Sequence, residues 1–108
     1  MNTRKFSDKQ EKIVAKKLGG KQVVNSGATT FQKGDVSAGD FIIECKTKTK
    51  PSNTFTVYRN WLVDNEEIVF AMGKKYSAVA LDFGDGEQYY IINQKLFNIL
   101  FNHLKEEE

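Results

Sequence analysis

The sequence predicts a mixed α/β domain, a central sheet flanked by helices, and three observations carry that expectation. Segments of helical period alternate with segments of period two, in the order helix, short strands, long strand, helix, strand, strand, helix. Turn-forming residues fall between them: Gly19-Gly20, Gly39, Pro51-Ser52-Asn53, Gly73 and Gly84-Asp85-Gly86. A length of 108 residues suits one hydrophobic core and no second one, so 1–108 reads as a single domain.

Each element has its own justification. Ser7 starts the first helix, with Gln10 three residues on as a capping box wants and Phe6 placed as an apolar staple. Ile13, Val14 and Leu18 form its apolar stripe, and Gly19-Gly20 ends it. Its other face is basic, with Lys9, Lys12, Lys16 and Lys17. Gln22-Val23-Val24 reads as a short strand, Asn25 to Gly34 as a loop and Asp35-Val36 as the start of a second strand. Phe41 to Lys48 is a strand in which Phe41, Ile43 and Cys45 point one way and Ile42, Glu44 and Lys46 the other.

Residues 59–72 follow the helical period through Trp61, Leu62, Asn65, Ile68, Val69 and Met72, with Gly73 as the stop. Tyr76 to Phe83 is apolar enough for a strand buried inside a sheet. Gln88 to Ile92 returns beside it after the glycine-rich turn as a hairpin partner. Asn93 caps a last helix whose apolar face carries Leu96, Phe97, Leu100, Phe101 and Leu104. Phe97, Ile99, Leu100 and Phe101 make that face unusually wide, as either ordinary core or the seam of a homodimer.

Composition removes several function classes. The single cysteine, Cys45, forms no internal disulfide and no multi-cysteine metal site. A single histidine, His103, on a polar helix flank, rules out the common His-rich zinc centres. A bound metal is therefore expected on oxygen ligands, which favours magnesium or manganese. No apolar run approaches a bilayer span, and the polar N-terminal segment lacks a signal-peptide core. The expectation is a cytoplasmic, reducing setting. Charge is unevenly spread: residues 1–50 carry 11 Lys/Arg against 5 Asp/Glu, and residues 51–108 carry 5 against 9. A basic half suits a phosphate-binding face, though a solvated lysine-rich helix has the same composition.

Chemistry concentrates between Gly34 and Lys46. Glu44 and Lys46 leave the same strand face, flanked by Ile42, and a bent hairpin of 35–36 with 40–46 would bring Asp35 beside Glu44. Two adjacent carboxylates repel each other unless a cation lies between them. A divalent ion there lowers the pKa of a bound water and neutralises phosphate charge, and Lys46 would position that water. This equipment suits phosphodiester hydrolysis. A rival acid, Asp40, starts the same strand as Glu44 and is therefore less suited as its partner. Glu44 and Lys46 as an ordinary charge pair on a solvated face is the plainer alternative.

Asp35 followed by Glu44-Cys45-Lys46 resembles the PD-(D/E)xK nuclease signature, with Gly34 where that signature usually has proline, a position without a chemical role. The element order resembles the same superfamily: helix, three-strand meander, helix, strand. Within it, residues 7–83 are most similar to archaeal and phage Holliday-junction resolvases. Glu11 matches the glutamate those proteins often carry on the first helix, and Ser26-Gly27-Ala28 matches their small-residue loop before the aspartate.

The resemblance implies a restriction-endonuclease-like fold with an added C-terminal strand and helix. It implies a catalytic set of Asp35, Glu44, Lys46 and Glu11, with the metal on Asp35, Glu44 and the Cys45 carbonyl. It implies a magnesium- or manganese-dependent endonuclease acting on branched DNA as a homodimer, in DNA recombination and repair; the chain's length suits a phage gene. Lys9, Lys12, Lys16, Ser26, Lys33, Lys48, Lys50 and Arg59 are the expected phosphate contacts. Two alternatives stay open: a replication-repair or restriction-type nuclease of the same superfamily, and a non-catalytic DNA-binding accessory protein of recombination.

Overall fold

The computed structural model of the protein describes residues 3–23 and 35–107. Eight elements follow in chain order: α1 (Thr3–Leu18), β1 (Lys21–Gln22), β2 (Asp35–Ala38), β3 (Phe41–Thr47), α2 (Arg59–Ala71), β4 (Tyr76–Asp82), β5 (Gln88–Ile91) and α3 (Gln94–Glu106). The strands form one sheet in sequence order. β1, β2 and β3 are an antiparallel meander, β3 and β4 are parallel and β5 returns antiparallel to β4. The parallel pair follows from α2, which carries the chain back before β4 begins. A mixed α/β architecture is therefore what forms.

Alternation along the strands sorts the core into two layers. Val36, Ala38, Ile43, Cys45, Ala78 and Ala80 pack with Val14 of α1. Ile42 and Val79 occupy the alternate face, buried with Asn65 and Val69 of α2. The tight reversal between β2 and β3 turns on Gly39, whose φ of +56° lies where a side chain would be strained.

Two buried carboxamides lock the helices to the sheet. Gln10 Nε2 donates to the carbonyls of Lys46 (3.0 Å) and Ala80 (3.1 Å) and to Gln88 Oε1 (2.9 Å). From α2, Asn65 Nδ2 donates to Ser77 Oγ (2.7 Å) and to the carbonyls of Ile42 (3.0 Å) and Ala78 (3.3 Å). The amide N–H groups meet acceptors that would otherwise lose water, while Gln10 Oε1 and Asn65 Oδ1 have no hydrogen-bond partner among the described residues.

Several boundaries differ from expectation. The first helix begins at Thr3 and not at Ser7, and Gln10 is no capping residue. Its amide is drawn across α1 to strand carbonyls, a tertiary partner that outbids a local cap. Leu18 of the expected stripe is exposed, on an open groove with Ala38, Phe41, Ile43 and Tyr90. The first strand is Lys21–Gln22, and Val24 lies outside the described residues. Asn93 caps α3 as expected, its side chain accepting from Leu96 N at 2.9 Å. Only Leu96 of the α3 apolar set is buried; Phe97, Leu100, Phe101 and Leu104 are 42–66% exposed. No helix among the described residues is long and apolar enough to cross a membrane.

Asn65→Ala should destabilise the fold by about 2–3 kcal/mol, because buried carbonyls lose their donor. Asn65→Leu, which keeps most of the volume, should also lower the melting temperature. Full stability in Asn65→Leu would show that packing and not hydrogen bonding is what Asn65 supplies.

Candidate active site

The β2–β3 register sets Asp35 directly opposite Glu44. Directly opposed residues of an antiparallel pair share a face, so both carboxylates leave the sheet on the same side. Lys46, two residues beyond Glu44, leaves that side too, and its Nζ lies 3.3 Å from Glu44 Oε1. Asp35 is 1% exposed and Glu44 7%. Asp35 Oδ2 has no hydrogen-bond partner among the described residues. An unpartnered carboxylate oxygen in the interior is a costly arrangement.

Electrostatics follow from this burial. Desolvation pushes Asp35 up from 3.8 to about 7, helped by the charges of Glu44 and Glu11 and opposed by Lys46. Burial also pushes Glu44 up, while the Lys46 ammonium holds it down by charge and hydrogen bond. Asp64 of α2 adds a further upward push on Glu44. Cys45 points to the opposite face into the core, and burial pushes its thiol up, so the side chain is not a thiolate ligand.

Glu11 is buried on α1, accepts a hydrogen bond from Gln22 Nε2 at 3.2 Å, and lies close enough to raise Asp35. Among the described residues, no group of three or more His, Cys, Asp or Glu side chains is arranged around one metal position. The available donor set is the Asp35–Glu44 pair together with backbone oxygen, all hard oxygen donors. The partnerless Asp35 oxygen and the upward shift of both acids fit a divalent cation, which would relieve desolvation and repulsion together. Asp40 sits in the exposed turn at the other end of the hairpin, 4.0 Å from Lys75, remote from this pair.

The expected phosphate contacts separate into groups. Lys9 and Lys48 line one groove of about 170 Å³ with Thr47, Thr49 and Asp82. Lys12 is exposed and paired with Asp8 at 3.0 Å. Lys16 and Lys50 are exposed. Arg59 lies in a different groove, between α2 and β5, with Glu66 and Ile92. Its nearness to Lys48 and Lys50 in sequence is lost because the chain runs on through residues 51–58 before α2 begins. Ser26 and Lys33 lie outside the described residues.

Two contributors carry roles other than those the sequence suggests, a cap for Gln10 and, for Trp61, core in preference to a base-stacking platform. Gln10 holds the Lys46 carbonyl from beneath the strand. Trp61 lies under the Lys46 ammonium, with Nζ 4.7 Å from the ring centroid, so that the amine is held between a carboxylate and an aromatic face. Strand alternation put Lys46 on the face of Ile42 and Glu44, and the structure shows that α2 with Trp61 covers that face; nothing local distinguished Gln10. Comparisons of the chain with protein-family models, with curated proteins and with solved structures found no match.

Between pH 4 and 7 the folded chain holds a proton on Asp35 that the unfolded chain has already lost. Without divalent metal, stability should therefore fall as pH rises through that window and stay low above it. Asp35→Asn should raise the metal-free melting temperature by roughly several degrees at pH 8, with the gap closing near pH 4. Equal melting curves at both pH values would contradict the assigned environment of Asp35.

Proposed function

We propose that the protein is a divalent-metal-dependent endodeoxyribonuclease. The observation that carries this reading is the pair of buried carboxylates facing each other across the β2–β3 ladder with an ammonium on one of them. Salt bridges that only stabilise a sheet do not require a second, unneutralised acid at the same spot. Asp35, Glu44 and the Cys45 carbonyl would hold magnesium or manganese, with Glu11 tuning the charge of Asp35. The ion would supply Lewis acidity toward water and phosphate. Lys46, fixed between Glu44 and Trp61, is suited to orient the attacking water and to offset charge growing on the phosphate. Lys9 and Lys48, in the groove that also holds Asp82 and Asp85, are lysines suited to meet the DNA backbone.

The resemblance to Holliday-junction resolvases and the restriction-endonuclease-like order of elements make branched DNA the substrate to try first. Cleavage of a four-way junction should require magnesium or manganese. Asp35→Ala and Lys46→Ala should each lower the rate by about 100-fold or more while DNA binding persists in the absence of metal. Undiminished cleavage by both variants would overturn the reading. Competition among junction, flap and linear duplex separates resolvase from other nucleases. Binding with no cleavage of any of them would favour the accessory-protein alternative.

A homodimer belongs to the same proposal. Leu96 and Ile99 of α3 turn toward the body of the domain, lining a groove with Val69 and Tyr76. Phe97, Leu100, Phe101 and Leu104 form a separate stripe turned away from it. Reversing the helix about the Leu100–Phe101 peptide exchanges Phe97 with Leu104 and Leu100 with Phe101, so the stripe is complementary to a second copy of itself. A helix this short is marginal in water without tertiary cover. Light scattering after size exclusion should give a dimer, and Leu100→Glu with Phe101→Glu should give a folded monomer. A wild-type monomer at tens of micromolar would exclude this seam.

A further inference from the structure

Five aromatic rings form a continuous strip next to Lys46. Tyr58 packs edge-on to Trp61 (5.3 Å between centroids), Trp61 to Phe55 (6.2 Å), Phe55 to Phe83 (5.5 Å) and Phe83 to Tyr89 (5.6 Å). None of the five is buried, and the two ends are the most open, Tyr58 at 57% and Tyr89 at 61% exposure. Rings gathered only to make a core would be covered. Two ammonium groups lie over the strip: Lys46 over Trp61 and Lys48 over Phe55, the latter at 5.2 Å.

The backbone holds this surface in place. Lys48 N donates to the Asp82 carbonyl and Ser52 N to the Phe83 carbonyl, both at 2.9 Å. Gly84, at φ +102°, lies so close to Pro51 that a Cβ there would come within 2.7 Å of its backbone. The segment after β3 is thus pinned along the end of β4. Tyr89 is opposite Leu81, and Leu81 is opposite Lys46, so all three stand in one row on the face that carries Asp35 and Glu44.

We infer that this strip is a binding platform for single-stranded DNA, on which unpaired bases stack while Lys46 and Lys48 meet the backbone. Two exposed end rings, three half-buried rings between them and two ammonium groups match the two chemistries of a single strand, apolar base faces and phosphate charge. A blunt duplex offers the phosphates but keeps its base faces inside the stack. The inference deepens the endonuclease reading and rests on it for the placement of unpaired nucleotides beside the reacting phosphate. On that basis the preferred substrate has a single-stranded segment at the cut.

The chain has one tryptophan, Trp61, so stacking reports itself as quenching of intrinsic fluorescence. The protein in EDTA should bind an oligothymidine with quenching, and a blunt duplex more weakly and with little quenching. Tyr58→Ala and Tyr89→Ala should each weaken oligothymidine binding about ten-fold or more and leave duplex binding within about two-fold. Tyr58→Phe and Tyr89→Phe should retain it, since the ring face is kept. Equal quenching by duplex, or full oligothymidine affinity in both alanine variants, would overturn the platform. Platform binding without metal-dependent cleavage would instead retire the nuclease reading and leave the platform standing. Cleavage with no quenching would do the reverse.

Discussion

Two carboxylates side by side in a protein interior need a proton or a cation between them. Asp35 and Glu44 are in that position because each has only one place to go. Asp35 is the first residue of β2, Glu44 is its cross-strand partner, and the pleat turns both to one side. Lys46 forms its ion pair with Glu44 and offsets the Asp35 charge only in part, so Asp35 keeps an oxygen without a partner among the described residues and a proton up to neutral pH. The rest of the domain holds this unfavourable pair in register. The hairpin sets the spacing, α1 supplies Glu11, and α2 supplies the ring beneath Lys46.

That holding is done by polar groups as much as by apolar ones. The apolar side chains at the centre of the sheet are small or β-branched, among them Ala78, Ala80 and Val79, and they specify a layer more than a position. Gln10 and Asn65 specify position, since each amide reaches two strand carbonyls and one side-chain acceptor. Gln10 ties α1 to the backbone of Lys46 itself. The amine that compensates Glu44 is thereby fixed through its main chain from α1 and through its side chain by Trp61 and Glu44. Precise placement of a charge depends on such supporting contacts.

Strand alternation made the central hairpin legible. Ile42, Glu44 and Lys46 had to share a side, and Gly39 had to turn the chain, so the meeting of Asp35 with Glu44 followed from sequence. The start of α1 did not follow, because Ser7 and Gln10 carry a local capping pattern that tertiary hydrogen bonds override. The last helix was legible as an amphipathic element but not as core, since a hydrophobic stripe says that cover is needed and not where it comes from. The aromatic strip was illegible for a different reason. Its rings come from residues 55, 58, 61, 83 and 89, and only the parallel pairing of β3 with β4 brings these together. Basic residues close in sequence, Lys48 and Arg59, part company because an extended segment separates them.

The reversal at Gly39 carries an implication for how this chain can vary. Side chains along a strand take turns above and below the sheet, so lengthening β2 or β3 by one pleat position would send one acid to the opposite side. Adding two would restore them to a common side. Drift in the length of this hairpin is thus tolerated only by parity: related chains that keep both acids facing each other should differ there by even numbers of residues, or absorb an odd one in a bulge.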